Sequence, residues 1–435
     1  MINSALRYGL SLILLFTAMA TQAQLTVVIE RGQETAIPVA VVPFGWQSAQ
    51  PAPFDIAKVV AADLQNSGQF DPLPREDMID RPTQAKDIRF QDWRALKTDY
   101  VIIGSVIPEA GGRFRAEFGA YNVLTGQMLV QQQVTTDTAG WRKAAHAISD
   151  VVYQTLTGVR GVFSTRIAYV KVEGTVPKQN YTLIVADYDG ENVSNIAKSS
   201  EPIMSPAWSP DAQSLAYVSF ENRVSAIFVQ TLRTGERRQV SARAGINGAP
   251  AWSPDGKTLA LTLSRKDGDV DVYTLQLATQ LLTRMSFDPG IDTEPVWSVD
   301  GRKLYFSSDR AGSPQIYEID IDQPEKATRV TFEGTYNARP RLSPDGKRLA
   351  TVHLDQGNFR IAISDTTTRS LQVLTQGRQD ESPSFAPNGA MLIYATQERG
   401  RGVLANVSAD GRIGGRIPDA GGDVREPVWA PFVTK

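Results

Sequence analysis

Cysteine is absent from the 435-residue sequence, and histidine occurs only twice, as His146 and His353. Without cysteine the chain has no disulfide, no thiol nucleophile and no cysteine-bound zinc. Two imidazoles are also too few for a histidine-rich metal centre. We therefore expect the stability of the fold to rest on packing.

A surplus of charge is also missing, since 45 Lys and Arg stand against 47 Asp and Glu. This balance argues against a broad basic field for nucleic acid or acidic lipid, so neither is an expected partner. Long apolar runs are missing after residue 23, and we expect no transmembrane segment in the mature chain.

Residues 1–23 have the pattern of a cleavable export signal. Arg7 is their only charged residue, and a short apolar run follows over residues 10–20. This run is too short to span a bilayer. We expect cleavage after Ala23, with Ala20 as the alternative, and a soluble, exported mature protein.

One short pattern recurs along the second part of the chain and is clearest at residues 250–256, Pro-Ala-Trp-Ser-Pro-Asp-Gly. Its large apolar residue returns at positions 208, 252, 297, 342, 385 and 429, at intervals of 43 to 45 residues. This period, with strand-like runs in every copy, is typical of β-propeller blades of the WD40-like (PD40) type. The recurring tryptophans are interpreted as packing between blades.

The chemistry of the repeat supports this interpretation. Ser-Pro-Asp-Gly suits a type I turn, because proline pre-sets φ at the second position and glycine takes the fourth without steric cost. An apolar, β-prone run follows the turn, as at residues 259–262, and a second pair of strands comes after it.

The two ends of the repeat region predict a closed ring. A strand at residues 166–170 has no Pro-x-Trp stretch before it, and the Pro-Val-Trp at residues 427–429 has no blade after it. If the two segments share one blade, residues 161–435 form a six-bladed propeller without free edge strands.

Residues 24–160 lack the repeat and are predicted to form a separate α/β or α+β domain. Strands are expected at residues 37–42, 100–106, 113–121 and 127–135, and helices at residues 55–67 and 141–156. The predicted fold is therefore multi-domain, with a mixed N-terminal domain followed by an all-β propeller.

An export signal, an α/β domain and six Trp-Ser-Pro-Asp-Gly blades together resemble the TolB family of the bacterial Tol–Pal system. The resemblance covers essentially the whole mature chain. It implies a monomeric, non-enzymatic periplasmic protein without a cofactor. The implied partners are the lipoprotein Pal, the C-terminal domain of TolA, other envelope proteins and imported toxins. The implied role is outer-membrane integrity and envelope constriction during cell division.

The stretches before the recurring prolines share one register, so they should ring one mouth of the central channel. By resemblance this mouth binds Pal, and Asn247, Gly248, Ala249, Thr293 and Glu294 match the family's recognition loops. The full set of predicted contact residues is Asn247, Gly248, Ala249, Asp292, Thr293, Glu294, Asn337, Arg339, Asp380, Glu381 and Glu426. The alternative is that Gly248 and Ala249 only form a tight turn between blades.

A second candidate site follows the predicted cleavage point and consists of Leu25, Thr26, Val27, Val28, Ile29 and Glu30. The segment is either an edge strand of the first domain or an exposed strand that adds to the sheet of a partner. The resemblance implies TolA as that partner. It also implies that Pal binding shifts the segment between docked and extended states.

An enzyme is the alternative that the residues leave open. No Gly-x-Ser-x-Gly occurs, which argues against a serine hydrolase. Some six-bladed propellers are metal-dependent hydrolases, and the acidic residues of the mouth offer oxygen ligands for calcium in the channel. These residues are Asp292, Glu294, Asp380, Glu381 and Glu426.

Overall fold

The computed structural model describes residues 36–266, 268–417 and 421–433. The predicted export signal and the predicted binding strand at residues 25–30 lie outside these residues.

The N-terminal region contains one mixed sheet and three α-helices. Its strands are β1 (Ile37–Val41), β2 (Gly45–Trp46), β3 (Phe70–Pro72), β4 (Tyr100–Glu109), β5 (Arg113–Asn122) and β6 (Met128–Asp137), and its helices are α1 (Ile56–Asn66), α2 (Phe90–Ala95) and α3 (Trp141–Thr157). The sheet order is β3-β1-β4-β5-β6, with β2 pairing to β4. Strand β1 runs parallel to β3 and β4, whereas β4, β5 and β6 are antiparallel. The prediction of a mixed α/β region is confirmed.

Local sequence explains where helix α1 begins and where helix α3 ends. The side chain of Asp55 accepts a hydrogen bond from the backbone N–H of Lys58 at 2.9 Å and caps α1. Gly158 ends α3 in the left-handed conformation, with φ at 76°. The two helices then pack their apolar sides against the sheet and each other, around buried residues such as Leu64 and Ile148.

Six four-stranded sheets form the rest of the chain. Their strands are β7 (Arg166–Thr175), β8 (Lys178–Asp187), β9 (Ser194–Ser199), β10 (Ile203–Trp208), β11 (Ser214–Ser219), β12 (Ala226–Thr231), β13 (Arg237–Ser241), β14 (Asn247–Trp252), β15 (Thr258–Ser264), β16 (Val270–Gln276), β17 (Leu282–Arg284), β18 (Asp292–Trp297), β19 (Lys303–Ser308), β20 (Gln315–Asp320), β21 (Gln323–Arg329), β22 (Asn337–Leu342), β23 (Arg348–Asp355), β24 (Asn358–Asp365), β25 (Leu371–Val373), β26 (Glu381–Phe385), β27 (Met391–Glu398), β28 (Arg401–Ser408), β29 (Gly414–Arg416) and β30 (Asp423–Trp429).

Each sheet is an antiparallel meander, and the predicted closure of the ring is confirmed. Five sheets use consecutive strands, whereas the sixth has the order β30-β7-β8-β9 and joins the two ends of the repeat region. Strands β10, β14, β18, β22, β26 and β30 contact one another in sequence around the centre. They are therefore the innermost strands of a closed six-bladed propeller.

The repeated turn is closed by a hydrogen bond between its first and fourth residues, as in the predicted type I turn. In the second repeat the N–H of Gly256 donates to the carbonyl of Ser253 at 2.9 Å, and the Ser253 hydroxyl donates to Asp255 at 2.6 Å. The indole N–H of Trp252 donates to the carbonyl of Ala207 in the preceding blade at 3.1 Å. The tryptophan thus joins two blades both by packing and by a hydrogen bond, as Trp297 does in the next repeat.

The N-terminal region packs against the propeller at the end of the channel where the innermost strands finish. The side chain of Asn388, in the turn after β26, donates to the carbonyl of Arg160 at 2.9 Å. Buried residues of α3 and of the closing blade share one apolar core. The end where the innermost strands begin, here called the mouth face, points away from this contact. Within the described residues, no helix has the length and apolar character needed to cross a bilayer.

Removing Trp252 should weaken the seam between the first two complete repeats. We expect Trp252→Ala to lower the free energy of unfolding by about 3 kcal/mol, because a cavity replaces the indole. Trp252→Phe retains most of the packing and loses only the N–H bond, so its expected loss is about 1 kcal/mol. Urea denaturation followed by circular dichroism measures both, and an unchanged midpoint for Trp252→Ala would contradict the interpretation.

Candidate binding site at the propeller mouth

Every innermost strand carries a bulge at the same place. The pairing register shifts between the second and fifth residues in β10, β14, β18 and β22, and at the equivalent place in the longer β30 and the shorter β26. At each bulge one residue with φ between 45° and 57° precedes a proline. These six residues are Ser205, Ala249, Glu294, Arg339, Ser382 and Glu426.

The bulge has a physical cost and a consequence for the channel. The left-handed conformation costs an L-residue about 1–2 kcal/mol. Proline suits the next position because it has no N–H to leave unpaired. A bulge re-aims the side chain at its centre, and all six left-handed residues line a central cavity of about 530 Å³.

Three charged residues at these positions form a network in the channel. Arg339 Nε lies 2.9 Å from Glu294 Oε1, and Arg339 Nη2 lies 4.0 Å from Glu426 Oε1. The backbone N–H of Arg339 also donates to Glu294 Oε2, at 3.0 Å. Ser382 accepts a further hydrogen bond from the Arg339 guanidinium. The guanidinium is thus held between two carboxylates from two other blades.

The two arginines of strand β22 differ in their electrostatic environment. Burial acts to lower the pKa of Arg339, but the carboxylates of Glu294 and Glu426 outweigh it and leave that pKa raised. Burial dominates at Arg341 and lowers its pKa. The side chain of Arg341 donates to the carbonyl of Pro340 at 2.8 Å.

Four predicted contact residues stand at or just before the first position of an innermost strand and have buried side chains. Asn247 accepts from the Ser241 hydroxyl at 2.6 Å, and Asp292 pairs with Arg310 at 2.8 Å. Their side chains hold the loops that lead into the innermost strands.

The other two buried residues make equivalent contacts. Asn337 donates to Gln315 at 3.0 Å, and Asp380 accepts from the N–H of Gly377 at 3.1 Å. Gly248, Thr293 and Glu381 are half-buried. The structure therefore separates the predicted set into residues that line the channel and residues that position its rim.

The sequence analysis missed a group of exposed apolar side chains on the mouth face. Six lie in loops at the end where the innermost strands begin, and the seventh, Phe359, lies at the start of strand β24 at the same end; 37% to 79% of each residue is exposed. The group, here called the apolar rim, consists of Val176, Val224, Ile246, Phe287, Ile291, Phe332 and Phe359. Large apolar residues placed beside turn-forming residues, as in Gly245-Ile246-Asn247, are the signal that marks them in the sequence.

Two family models match the chain. The TolB amino-terminal domain matches residues 25–129, and the TolB beta propeller domain matches residues 153–433. The chain belongs to the TolB family.

Individual TolB proteins agree with this assignment. The chain is 45% identical over 426 residues to the Tol-Pal system protein TolB of Xanthomonas oryzae pv. oryzae strain PXO99A, and the alignment covers 97% of both chains. It is 44% identical over 427 residues to the protein of the same name in Xanthomonas euvesicatoria, covering 98% of this chain and 97% of the relative. The crystal structure of TolB from Acinetobacter baumannii superposes with a TM-score of 0.85 at 41% identity, covering 91% of this chain and 97% of that one.

Two of the acidic residues that the sequence offered as calcium ligands are engaged by arginines. Asp292 is paired with Arg310, and Glu294 is paired with Arg339. Within the part of the chain that the structure describes, none of the five acidic side chains belongs to a group close enough to share one ion. Arg339 and Arg341 both line the central cavity and bring cations of their own into it.

Strand β22 offers a matched test of the charge network. We expect Arg339→Met to lower the free energy of unfolding by about 2 kcal/mol, because Glu294 and Glu426 lose their shared partner. Arg341→Met removes a cation that burial disfavours, so we expect the free energy of unfolding to change by no more than about 0.5 kcal/mol. A double-mutant cycle with Glu294→Gln should give a coupling of about 1 kcal/mol with Arg339. If Arg339→Met and Arg341→Met lowered the free energy of unfolding equally, the charge network would be refuted.

Proposed function

We propose that this TolB protein is a non-enzymatic, periplasmic binding protein of the Tol–Pal system whose mouth face docks the lipoprotein Pal. The observation that carries the proposal is the apolar rim around a channel in which charged side chains are already held in place. Exposed aromatic and aliphatic side chains around a polar centre are typical of sites that bind another protein.

The position of the N-terminal region supports the use of this face. From residue 36 onward that region packs at the opposite end of the channel, so these residues leave the mouth open to a partner. The bulges also favour recognition, because strained residues whose conformation is set by their surroundings lose little freedom on binding. The same face is available to other envelope proteins and to imported toxins that compete with Pal.

The charged residues of the channel favour binding over catalysis. Glu294 accepts from the backbone N–H of Arg339 in the next blade and from the Ser307 hydroxyl in its own, and Glu426 accepts from the backbone N–H of Ser205 in the next blade. A carboxylate held in this way is suited to orienting a partner. We therefore propose that Glu294, Arg339 and Glu426 set the register of the docked protein.

We further propose that the segment from Leu25 to Glu30 binds the C-terminal domain of TolA by adding a strand to its sheet. The support is the β-prone sequence of this segment and its position directly after the predicted cleavage site. Together the two sites would connect the outer and inner membranes, in support of outer-membrane integrity and of envelope constriction during division.

A pair of substitutions within one blade tests the docking face. Ile246 and Leu281 are both exposed, at 49% and 63%, but Ile246 lies on the mouth face and Leu281 lies at the opposite end. We expect Ile246→Ser to weaken Pal binding by about tenfold, as for loss of one apolar contact in an interface. Leu281→Ser should leave the affinity unchanged. Calorimetric titration of the mature protein with the periplasmic domain of Pal measures both.

The outcomes of that titration are separable. Equal weakening by both variants would argue against the mouth face as the docking site. No binding by the wild-type protein would overturn the assignment of Pal as the partner.

A proline substitution tests strand addition at the N-terminal segment. Val28→Pro removes a backbone N–H donor and should abolish binding to the C-terminal domain of TolA. Val28→Thr keeps a β-branched residue and should retain binding within about threefold, a change of roughly 0.7 kcal/mol. Surface plasmon resonance compares the two, and binding by Val28→Pro would contradict the strand-addition mode.

A further inference from the structure

A buried polar cluster joins the N-terminal region to the propeller at the end opposite the mouth. Asp63 comes from helix α1, His146 and Ser149 come from α3, and Tyr188 and Asp189 come from the turn after strand β8. The side chains of Asp63 and His146 are each only 1% exposed. We call these five residues the domain joint.

Asp63 is the common acceptor of the joint. Its Oδ2 accepts from Ser149 Oγ at 2.6 Å and lies 2.8 Å from His146 Nδ1, and its Oδ1 accepts from the Tyr188 hydroxyl at 2.6 Å. Since a carboxylate can only accept, the hydrogen of the imidazole must lie on Nδ1. This bond alone is compatible with either a neutral or a protonated ring.

The other ring nitrogen separates the two possibilities. His146 Nε2 is buried without a hydrogen-bond partner and lies 3.6 Å from Asp189 Oδ2. In a neutral ring this nitrogen would place a lone pair near a carboxylate. In a protonated ring it carries a positively charged N–H near the same oxygen, which is electrostatically favourable.

Once Arg142 beside the joint is included, the charges balance only when His146 is protonated. The two carboxylates, those of Asp63 and Asp189, then face two cations. One cation is the guanidinium of Arg142, which pairs with Asp189, and the other is the imidazolium of His146. With a neutral ring one buried carboxylate charge is left without a partner, which is costly at this depth.

The remaining charged groups nearby are engaged elsewhere. Asp187, on the propeller side, accepts from Asn192 at 2.6 Å, and it also faces the guanidinium of Arg166. Asp150, on α3, accepts from the N–H of Phe163 at 2.7 Å. The local field is negative from both sides, and its strongest sources at His146 are Asp63 and Asp189.

The direction of the pKa shift agrees with this geometry. Burial acts to lower the pKa of His146, but the bond to Asp63 and the charges of Asp63, Asp189 and Asp187 outweigh it, so that the pKa lies above its ordinary value of 6.5. For His353, the other histidine of the chain, burial dominates and lowers the pKa.

We propose that His146 is a proton-operated clamp in which the imidazolium bridges Asp63 of the N-terminal region to Asp189 of the propeller. Loss of the Nε2 proton removes the attraction to Asp189 and loosens the joint on the propeller side. The bond from Nδ1 to Asp63 persists, so the N-terminal region keeps its own core.

The pH dependence follows from the raised pKa. The stabilisation by the clamp is complete below 6.5, the value for an unperturbed histidine, and it is lost as pH rises through the raised pKa of the folded state. The joint is therefore tight below pH 6.5 and loosens as pH rises through the raised pKa of His146.

The small number of histidines makes the proposal directly measurable. A ¹⁵N-resolved NMR titration of the full mature protein contains two imidazoles, and His353→Gln assigns them. We expect the His146 ring to titrate above 6.5, and the His353 ring to titrate below it. A His146 ring that is neutral at pH 6.5 would overturn the clamp. This wild-type measurement does not depend on whether any variant of the joint folds.

Two neighbouring aspartates provide a matched comparison. Asp189→Asn should lower the proton affinity of His146 by about tenfold or more, because it removes the carboxylate that faces Nε2. Asp187→Asn, two residues earlier at the end of strand β8, should have a clearly smaller effect. Equal shifts from both variants would indicate a diffuse field and not a bridge.

Amide hydrogen exchange tests the opening of the joint itself. Exchange in residues 159–165, the connection between α3 and β7, should accelerate above the His146 pKa in the wild-type protein. It should be fast throughout the pH range in Asp189→Asn. Wild-type exchange without a step at the His146 pKa, after correction for intrinsic rates, would show that the proton does not control the joint. No partner is used, so the result is independent of the proposed Pal and TolA sites.

Discussion

The closed ring depends on one pairing, that of β30 with β7. Residues at opposite ends of the repeat region meet there, with Trp429 opposite Ile167 and Val424 opposite Lys171. This pairing completes the last blade and removes two edge strands that would otherwise be open to other chains. It also places β30 beside β26 and β10, so that all six innermost strands surround one channel in the same orientation.

Because the six innermost strands share one orientation, a bulge that is repeated in each of them shapes the channel. A bulge that occurred in one strand would only bend it, whereas six bulges in one register direct six side chains to the same level of the channel. The backbone strain at these positions is offset by the surrounding blades, which hold each innermost strand on both sides. The rigid part of the propeller thus sets the charged centre, while loops at the mouth carry the exposed apolar side chains.

The closing blade also connects the two halves of the chain. Tyr188 donates to Asp63 in the N-terminal region, and its ring stacks on Trp429 with the centroids 6.3 Å apart. Trp429 in turn lines the channel. The domain joint and the channel are therefore linked by two neighbouring side chains of one blade, Tyr188 and Trp429. Because Tyr188 and Trp429 both belong to the blade that closes the ring, closure, domain attachment and channel geometry depend on the same blade.

The sequence by itself determined the number of blades, the shared closing blade and the mixed N-terminal domain, because period, turn chemistry and helix caps are local properties. It also located the starts of the innermost strands. Only the tertiary structure decided which of those residues face the channel, since a bulge breaks the alternation that would assign faces. Thus Arg339 lies between Glu294 and Glu426, while Asp292 is turned to Arg310. The pairing of Asp63 with His146, 83 residues apart, likewise depends on helix packing that no local pattern encodes.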